Sequence, residues 1–286
     1  MVYYSVYYYV FIQPHFEHCS APYGAKTITL PTNLTRIEES TFYNCDGITS
    51  ITLPANLTYI GASAFYDCNN LQTIAWSKKL TYIGDSAFYD NRYLKNIEIP
   101  VGVTYLGASA FNNNSRVETI YYNAKLLENN KKSNVFYYLG MNNSATAKPI
   151  LTIGKDVERV PSSLFSVNNN YCDIGKLIFE ENSSCFSIGY SAILSRGYLE
   201  GTIILPDTIK SLGANAIWNT SLTNMYVSNS IAYIGENALD VGYSIFFESP
   251  AKANSWASDW YDARKVYYNA KTMGEYQGYS YVVCQD

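Results

Sequence analysis

The chain has 286 residues, of which 48% are hydrophobic and only 15% charged, so it is not a charge-rich disordered segment and has ample material for a core. Its 20 Lys and Arg against 24 Asp and Glu give a formal net charge of −4, and no basic run could neutralise a row of phosphates. Nucleic acid is therefore not an expected partner. No stretch approaches the roughly 18 apolar residues of a membrane-spanning helix.

The first predicted unit, residues 1–24, begins with the apolar and tyrosine-rich string MVYYSVYYYVFI. No Lys or Arg precedes this string, and Tyr is a poor residue for the core of a signal peptide. We predict a strand-like cap over one end of the fold. His15 and His18 lie in the same unit beside Cys19. Their H-x-x-H spacing fits no ordinary zinc site and lacks an evident fourth ligand, so no metal is predicted.

A repeated string follows this unit and determines the predicted architecture. It reads ITLPTNLTRIEESTF from Ile28, ITLPANLTYIGASAF from Ile51, IAWSKKLTYIGDSAF from Ile74 and IEIPVGVTYLGASAF from Ile97, a period of 23 residues. The closing apolar residue continues as a column with irregular spacing: Phe42, Phe65, Phe88, Phe111, Phe136, Phe165, Ile193, Ile217 and Leu239. A sustained fixed period is typical of a solenoid.

Each string is predicted to form one coil of the solenoid. The alternation Ile28-Thr29-Leu30 has the two-residue period of a β-strand, and Pro31 would end that strand. Leu34, Ile37 and Phe42 complete the inward set of the first coil. Equivalent strands of successive coils then pair in parallel, about 4.8 Å apart. A single coil cannot bury its apolar face, so neighbouring coils must supply the stability.

These features divide the chain into three predicted units. After the N-terminal cap (1–24), a solenoid of about nine coils spans 25–240, with irregular insertions near 129–148 and 166–175, which are rich in Asn, Ser and Lys. Residues 241–286 would form a last coil and a C-terminal cap, and could lead into a further array.

A glycine follows the second inward aliphatic residue in many coils. Its positions are Gly61, Gly84, Gly107, Gly189, Gly213 and Gly235. Glu38 and Pro161 occupy the same position elsewhere, and proline cannot adopt a positive φ. We therefore attribute the glycines to close packing of neighbouring coils.

The template I-x-L-P-x-x-L-T-x-I-G-x-x-A-F-x-x-C, complete in residues 51–68, resembles the BspA-type leucine-rich repeats of bacterial surface proteins. The resemblance implies a curved, mainly β solenoid with short turns or 3-10 segments and a parallel sheet on its concave face. It also implies an extracellular or cell-surface location and adhesion to host matrix proteins, other bacteria or mucosal surfaces. Cys45 and Cys68 keep the family's cysteine position, whereas Asn91 and Asn114 replace it. Stacking of Cys45 and Cys68 leaves buried free thiols or a disulfide open.

Two kinds of surface are candidate binding sites. The middle, outward residue of each first strand forms a column that is polar early and apolar late in the chain: Thr29, Thr52, Ala75, Glu98, Tyr121, Thr152, Ile178, Ile204, Tyr226 and Phe246. Its apolar members, Tyr121, Ile178, Ile204, Tyr226 and Phe246, are the candidate stripe, since contiguous apolar patches mark interaction sites. The alternative is that an insertion or the C-terminal segment covers them.

Two tyrosine columns are the second candidate. Tyr59, Tyr82, Tyr105 and Tyr233 lie on the second strand of their coils, and Tyr43, Tyr66 and Tyr89 follow the closing phenylalanines. Stacked rings stabilise adjacent coils. The functional alternative is a platform on which sugar rings or a partner's aromatic side chains dock.

No catalytic residue or cofactor is predicted. The sequence has neither a P-loop nor G-x-G-x-x-G, and GASAF has phenylalanine at the second glycine position of a nucleophile elbow. We predict a non-enzymatic module that binds a protein or glycan, such as a host matrix glycoprotein. Two rivals are a spacer or carbohydrate-binding part of a larger secreted enzyme and a structural array without a specific ligand.

Overall fold

The computed structural model describes residues 27–127, 135–139, 148–167, 170–195, 197–249, 251–263, 265–268, 270–276 and 279–284. These residues form β-strands and turns, and none of them is helical. The mainly β solenoid is thereby confirmed, with turns but no 3-10 segments in the described ranges. The N-terminal cap predicted for residues 1–24, including His15, His18 and Cys19, lies outside the described residues.

The strands are short, as expected for coils that turn every few residues. The first half contains β1 (Thr27–Thr29), β2 (Arg36–Ile37), β3 (Ser50–Thr52), β4 (Tyr59–Ile60), β5 (Thr73–Ala75), β6 (Tyr82–Ile83), β7 (Asn96–Ile99), β8 (Tyr105–Leu106), β9 (Thr119–Tyr122), β10 (Ile150–Ile153), β11 (Arg159–Val160), β12 (Ser166–Val167) and β13 (Asn170–Tyr171). The second half contains β14 (Lys176–Phe179), β15 (Ser187–Ile188), β16 (Ile193–Leu194), β17 (Glu200–Ile204), β18 (Ser211–Leu212), β19 (Ile217–Trp218), β20 (Ser221–Val227), β21 (Tyr233–Ile234), β22 (Leu239–Asp240), β23 (Ser244–Phe247), β24 (Tyr261–Asp262), β25 (Lys265–Tyr267), β26 (Ala270–Tyr276) and β27 (Tyr279–Cys284).

Three parallel ladders connect the coils, giving a β-solenoid of about nine turns. The first ladder uses the first strand of each coil and consists of the segments β1-β3-β5, β7-β9-β10-β14 and β17-β20-β23-β25. The second contains β2-β4-β6-β8 and β11-β15-β18-β21, and the third contains β16-β19-β22-β24. Ile28 faces Ile51, which faces Ile74, so the register follows the 23-residue period.

The core is a stack of equivalent side chains from successive coils. Phe42, Phe65, Phe88 and Phe111 are buried, and their neighbouring ring centroids lie 5.0, 5.0 and 5.2 Å apart. Phe136 and Phe165 extend the stack, and the column then continues through the paired residues Ile193, Ile217 and Leu239. The predicted column is therefore one continuous rung of the core.

The glycine column is confirmed as a close contact between coils. A Cβ added at Gly61 would lie 2.5 Å from the backbone nitrogen of Glu39, and one at Gly84 would lie 2.5 Å from that of Ala62. Neither glycine has a positive φ. The left-handed conformation instead falls two residues later, at Ser63 (φ 52°) and its equivalents, which are serines in most coils and Asn215 and Asn237 in the late ones. This conformation lets the chain turn sharply.

A buried polar rung explains why asparagine replaces cysteine in some coils. The Cys68 thiol donates to the carbonyl of Phe42 (3.0 Å), and the Asn91 amide donates to that of Phe65 (2.9 Å). Asn114 makes the same bond to Phe88. Both side chains supply a donor to a buried carbonyl of the preceding coil, which would otherwise lose a partner. Cys45 and Cys68 are both buried, and no disulfide joins them.

The first ladder departs from regular pairing at two places. β5 and β7 belong to different segments, and this break falls where Trp76 takes the place of Leu53. The Trp76 ring packs edge-on against Phe88 (5.3 Å between centroids). The second break separates β14 from β17, although the backbone N–H of Glu200 still donates to the carbonyl of Gly175 (3.2 Å).

Two antiparallel pairs lie outside the ladders. β12 pairs with β13 inside the insertion predicted near 166–175, and β26 pairs with β27 at the C-terminal end. This strand pair falls at the end of the predicted C-terminal unit, and the lead into a further array stays a prediction. Much of the other insertion, 128–134 and 140–147, is not among the described residues. The unit boundaries at 24/25 and 240/241 stay predictions.

Candidate functional site

The ladder register places the outward column of the first strands side by side. Thr152 faces Tyr121 on one side and Ile178 on the other. In the last segment, Ile204 faces Tyr226, and Tyr226 faces Phe246. The structure therefore gathers the stripe residues into two groups, one on β9 and β14 and one on β17, β20 and β23, which meet at the break between β14 and β17.

Exposure varies strongly within the stripe. Ile204 is 51% exposed, whereas Tyr226 is only 6% exposed. Tyr121, Ile178 and Phe246 are half-buried. The exposed side chain of Ile204 is apolar surface that a ligand could cover. The Tyr226 ring, in contrast, has little accessible area to offer a ligand. The role of these five residues in binding stays a prediction.

The row has one more member, at its C-terminal end, that the repeat pattern does not predict. Tyr267 on β25 faces Phe246 in the ladder, and the two rings stack with centroids 5.0 Å apart. Its strand lies beyond the last recognisable repeat string, so periodicity gave no signal for it. Alternation within VYY at 266–268 is the one feature that could have indicated it.

Two glutamates hold the hydroxyl groups of the stripe. The Tyr121 hydroxyl donates to Oε2 of Glu180 (2.9 Å), and the Tyr226 hydroxyl donates to Oε1 of Glu248 (2.6 Å). Burial and the glutamate hydrogen bond raise the pKa of Tyr121 to about 12 and raise that of Tyr226 as well. Each carboxylate also accepts a backbone N–H, from Lys155 and Asn229 respectively.

Both predicted tyrosine ladders are present as stacked rings. Tyr59, Tyr82 and Tyr105 stack at 4.6 and 4.4 Å between centroids, and the Arg36 guanidinium lies 3.7 Å over Tyr59. The other tyrosine stack consists of Tyr43, Tyr66 and Tyr89, whose neighbouring ring centroids are both 4.9 Å apart. Tyr233 is separated from the stack of Tyr59, Tyr82 and Tyr105 by Ser211, Ser187 and Arg159, which occupy the same column.

The stacking limits what the ladders can offer a ligand. The rings are nearly parallel, within 13° in the stack of Tyr59, Tyr82 and Tyr105 and within 6° in that of Tyr43, Tyr66 and Tyr89. The inner ring faces are therefore covered by neighbouring tyrosines. Sugar rings dock on aromatic faces, so only ring edges and hydroxyls are available along the column. Burial raises the pKa of Tyr82 to about 12 and also raises that of Tyr66.

Chemistry-bearing groups outside these surfaces are dispersed in the described ranges. There, no three His, Cys, Asp or Glu side chains come together in a way that could hold a metal ion. Burial raises the pKa of the Cys185 thiol to about 11 and that of Cys172 further, which disfavours the reactive thiolate. A search of the same ranges for a helix capable of crossing a bilayer found none.

Comparison with known proteins identifies the repeat. The model of the BspA type leucine rich repeat region matches residues 15–142 and 166–246 in 6 copies. No curated protein matches the chain.

Several solved structures are similar at low identity. A leucine-rich repeat protein from Bacteroides ovatus is 18% identical, covering 82% of this chain and 59% of its own, with a TM-score of 0.42. The pneumococcal vaccine antigen PcpA is 20% identical, covering 86% and 69%, with a TM-score of 0.39. A leucine rich cell surface protein from Faecalibacterium prausnitzii is 18% identical, covering 74% and 69%, with a TM-score of 0.32. At these values none of them supplies a ligand or a site for this chain.

Proposed function

Because the protein belongs to the BspA-type leucine-rich repeat family, we propose that it is a non-enzymatic, secreted or surface-displayed module that binds a macromolecule of a host or of another microbe. Repeat solenoids bind partners through extended surfaces built from equivalent positions of many coils. The partner is a protein or a glycan, and the binding surface is the stripe on the first ladder.

One observation carries the proposal: the exposed side chain of Ile204 lies beside Tyr226 on the sheet face, at the break that separates its strand from that of Ile178. An aliphatic side chain left half in water, inside a row of apolar and aromatic neighbours, is typical of an interaction surface. The tyrosine ladders are weaker candidates, since their inner ring faces already contact one another.

The test is a binding screen with a stripe variant. Immobilised matrix glycoproteins and a glycan array are probed with the wild-type protein, and each positive ligand is measured again with Ile204→Ser. We expect the variant to weaken binding at least about tenfold, as for a hot-spot residue near the centre of an interface. Val101→Ser, at an exposed apolar residue of a turn in another coil, is the matched control. Equal affinities of wild type and Ile204→Ser for every ligand would contradict the proposed surface.

A further inference from the structure

Acidic side chains follow the first strands along one edge of the stripe. Within three residues after the ends of β9, β10, β14, β17, β20 and β23 there are five carboxylates and two lysines, of which Lys125 pairs with Glu158 outside this set. This set, the acidic edge, consists of Asp156, Glu180, Glu181, Asp207 and Glu248, with Lys125 and Lys155 as its cations. All five carboxylates are exposed or half-buried. The edge therefore concentrates negative charge beside an apolar row.

The acidic edge lacks cationic partners within the described part of the chain. Its carboxylates accept hydrogen bonds from neutral groups: tyrosine hydroxyls, backbone N–H groups and the Asn123 amide. The ion pairs found in that part are Arg36–Glu38, Arg92–Asp90, Lys95–Glu118, Lys125–Glu158 and Lys148–Asp173. None of them uses a carboxylate of the acidic edge.

These carboxylates act together around the tyrosine hydroxyls. Asp156 and Glu98 lie close enough to Tyr121 to add to the field of Glu180, and Asp207 adds to that of Glu248 at Tyr226. Neutral hydrogen bonds fix the glutamates without cancelling their charge. A fixed negative field at the rim of an apolar surface selects cationic partners and repels anionic ones.

We propose that the stripe and the acidic edge together bind an extended, basic segment of a partner protein, in which Lys or Arg alternates with aliphatic residues. Its aliphatic side chains would cover Ile204 and the edges of Phe246 and Tyr267, and its cations would lie along Glu180, Asp207 and Glu248.

Alternate residues of an extended chain point to opposite sides, and the long Lys and Arg side chains can reach back to the rim. At the opposite edge Lys176 and Lys265 begin β14 and β25, and Glu200 begins β17, so that edge carries charges of both signs while the acidic edge is predominantly negative. The inference rests on the proposed function and adds the chemistry of the partner.

The experiment uses a fluorescein-labelled decapeptide of alternating Lys and Val, and its counterpart of alternating Glu and Val, titrated with the full chain by fluorescence anisotropy. We expect the Lys peptide to bind and the Glu peptide not to bind. Binding should weaken as ionic strength rises, because exposed charges are screened. The double variant Glu180→Gln, Glu248→Gln keeps both acceptor oxygens and removes two charges. It should bind the Lys peptide about tenfold more weakly.

Glu236→Gln, an exposed carboxylate after β21, is the matched control and should bind as the wild type does. Circular dichroism melting curves verify that the variants are folded. Equal affinity of the double variant and the wild type, or no binding of the Lys peptide up to millimolar concentration, would overturn the inference. The binding screen with Ile204→Ser reads the proposed function independently. Loss of the peptide interaction with a positive screen therefore refutes only the basic-segment chemistry.

Discussion

The buried donor at position 91 accounts for a sequence change that otherwise looks arbitrary. Cysteine and asparagine differ in size and polarity, yet both reach the carbonyl of the phenylalanine in the preceding coil. Asparagine brings an additional oxygen, and Oδ1 of Asn91 is buried without a hydrogen-bond partner. The amide therefore satisfies the carbonyl at the expense of its own acceptor.

This geometry predicts different outcomes for two replacements. Asn91→Cys should be at least as stable as the wild type under reducing conditions, because the thiol keeps a donor and removes the buried orphan oxygen. Asn91→Ala should lower the free energy of unfolding by about 1–3 kcal/mol, since the carbonyl of Phe65 loses its side-chain donor. Urea unfolding followed by circular dichroism measures both. A Cys variant less stable than the Ala variant would contradict the interpretation.

Glycine and serine have divided roles in the turn that follows the second strand. Gly84 is required for space, since a Cβ there meets the backbone of Gly61 and Ala62. Ser86 carries the positive φ of 53°, which costs a residue with a side chain roughly 1–2 kcal/mol.

We therefore expect Gly84→Ala to destabilise the protein by about 3 kcal/mol, because the backbone of a neighbouring coil must move. Ser86→Gly should be neutral or stabilising by less than about 1 kcal/mol, as relief of the turn is partly offset by the greater freedom of glycine in the unfolded chain. Thermal unfolding of the two single variants provides the comparison. The reverse order of stabilities would show that conformation, and not space, limits the glycine position.

At the scale of elements, two partly buried tyrosine hydroxyls connect stability to alkaline pH. Tyr82 and Tyr121 have folded-state pKa values raised to about 12, chiefly by burial, from an ordinary value near 10. A raised pKa means that the folded state retains protons that the unfolded state has released. Their contribution to stability is thus fully present below pH 10 and is lost as the pH rises to 12.

The double variant Tyr82→Phe, Tyr121→Phe should consequently lose less stability between pH 10 and 12 than the wild type does. Both rings remain, as does the stacking of residue 82, so the change isolates the hydroxyls, including the bond from Tyr121 to Glu180. Urea unfolding at pH 8, 10 and 11 gives the slopes, and absorbance at 295 nm follows the ionisation. Parallel pH profiles for the two proteins would refute the assignment.

The repeat period predicted the features that recur in every coil, but it did not predict those that occur in a single coil. The inward rungs, the strand register and the contact at Gly61 follow from identical strings stacked at equal length. The break beside Trp76 does not, because the string around it keeps the 23-residue period while one side chain is wider. Nor does the bond between Tyr121 and Glu180, which are 59 residues apart. It depends on how an insertion of irregular length returns the chain to the ladder.

At the scale of the whole molecule, the candidate surface is a product of repetition. Each coil contributes one outward residue, so the stripe has no local sequence motif. Its residues follow one another at the spacing of the strands, about 4.8 Å. Polar residues occupy the column in the early coils, and apolar residues occupy it in the late ones. The proposed binding surface therefore lies on the late coils, while the early coils present a polar column.

The ladders also determine how the array would respond to being pulled. Their hydrogen bonds join one coil to the next, so tension along the stacking direction loads each coil's few bonds in sequence instead of shearing them all at once. Coils would peel off singly, each 23-residue turn releasing about 80 Å of extended chain. A tether of this design yields gradually and lengthens under load, while the coils beyond the peeling front keep their shape.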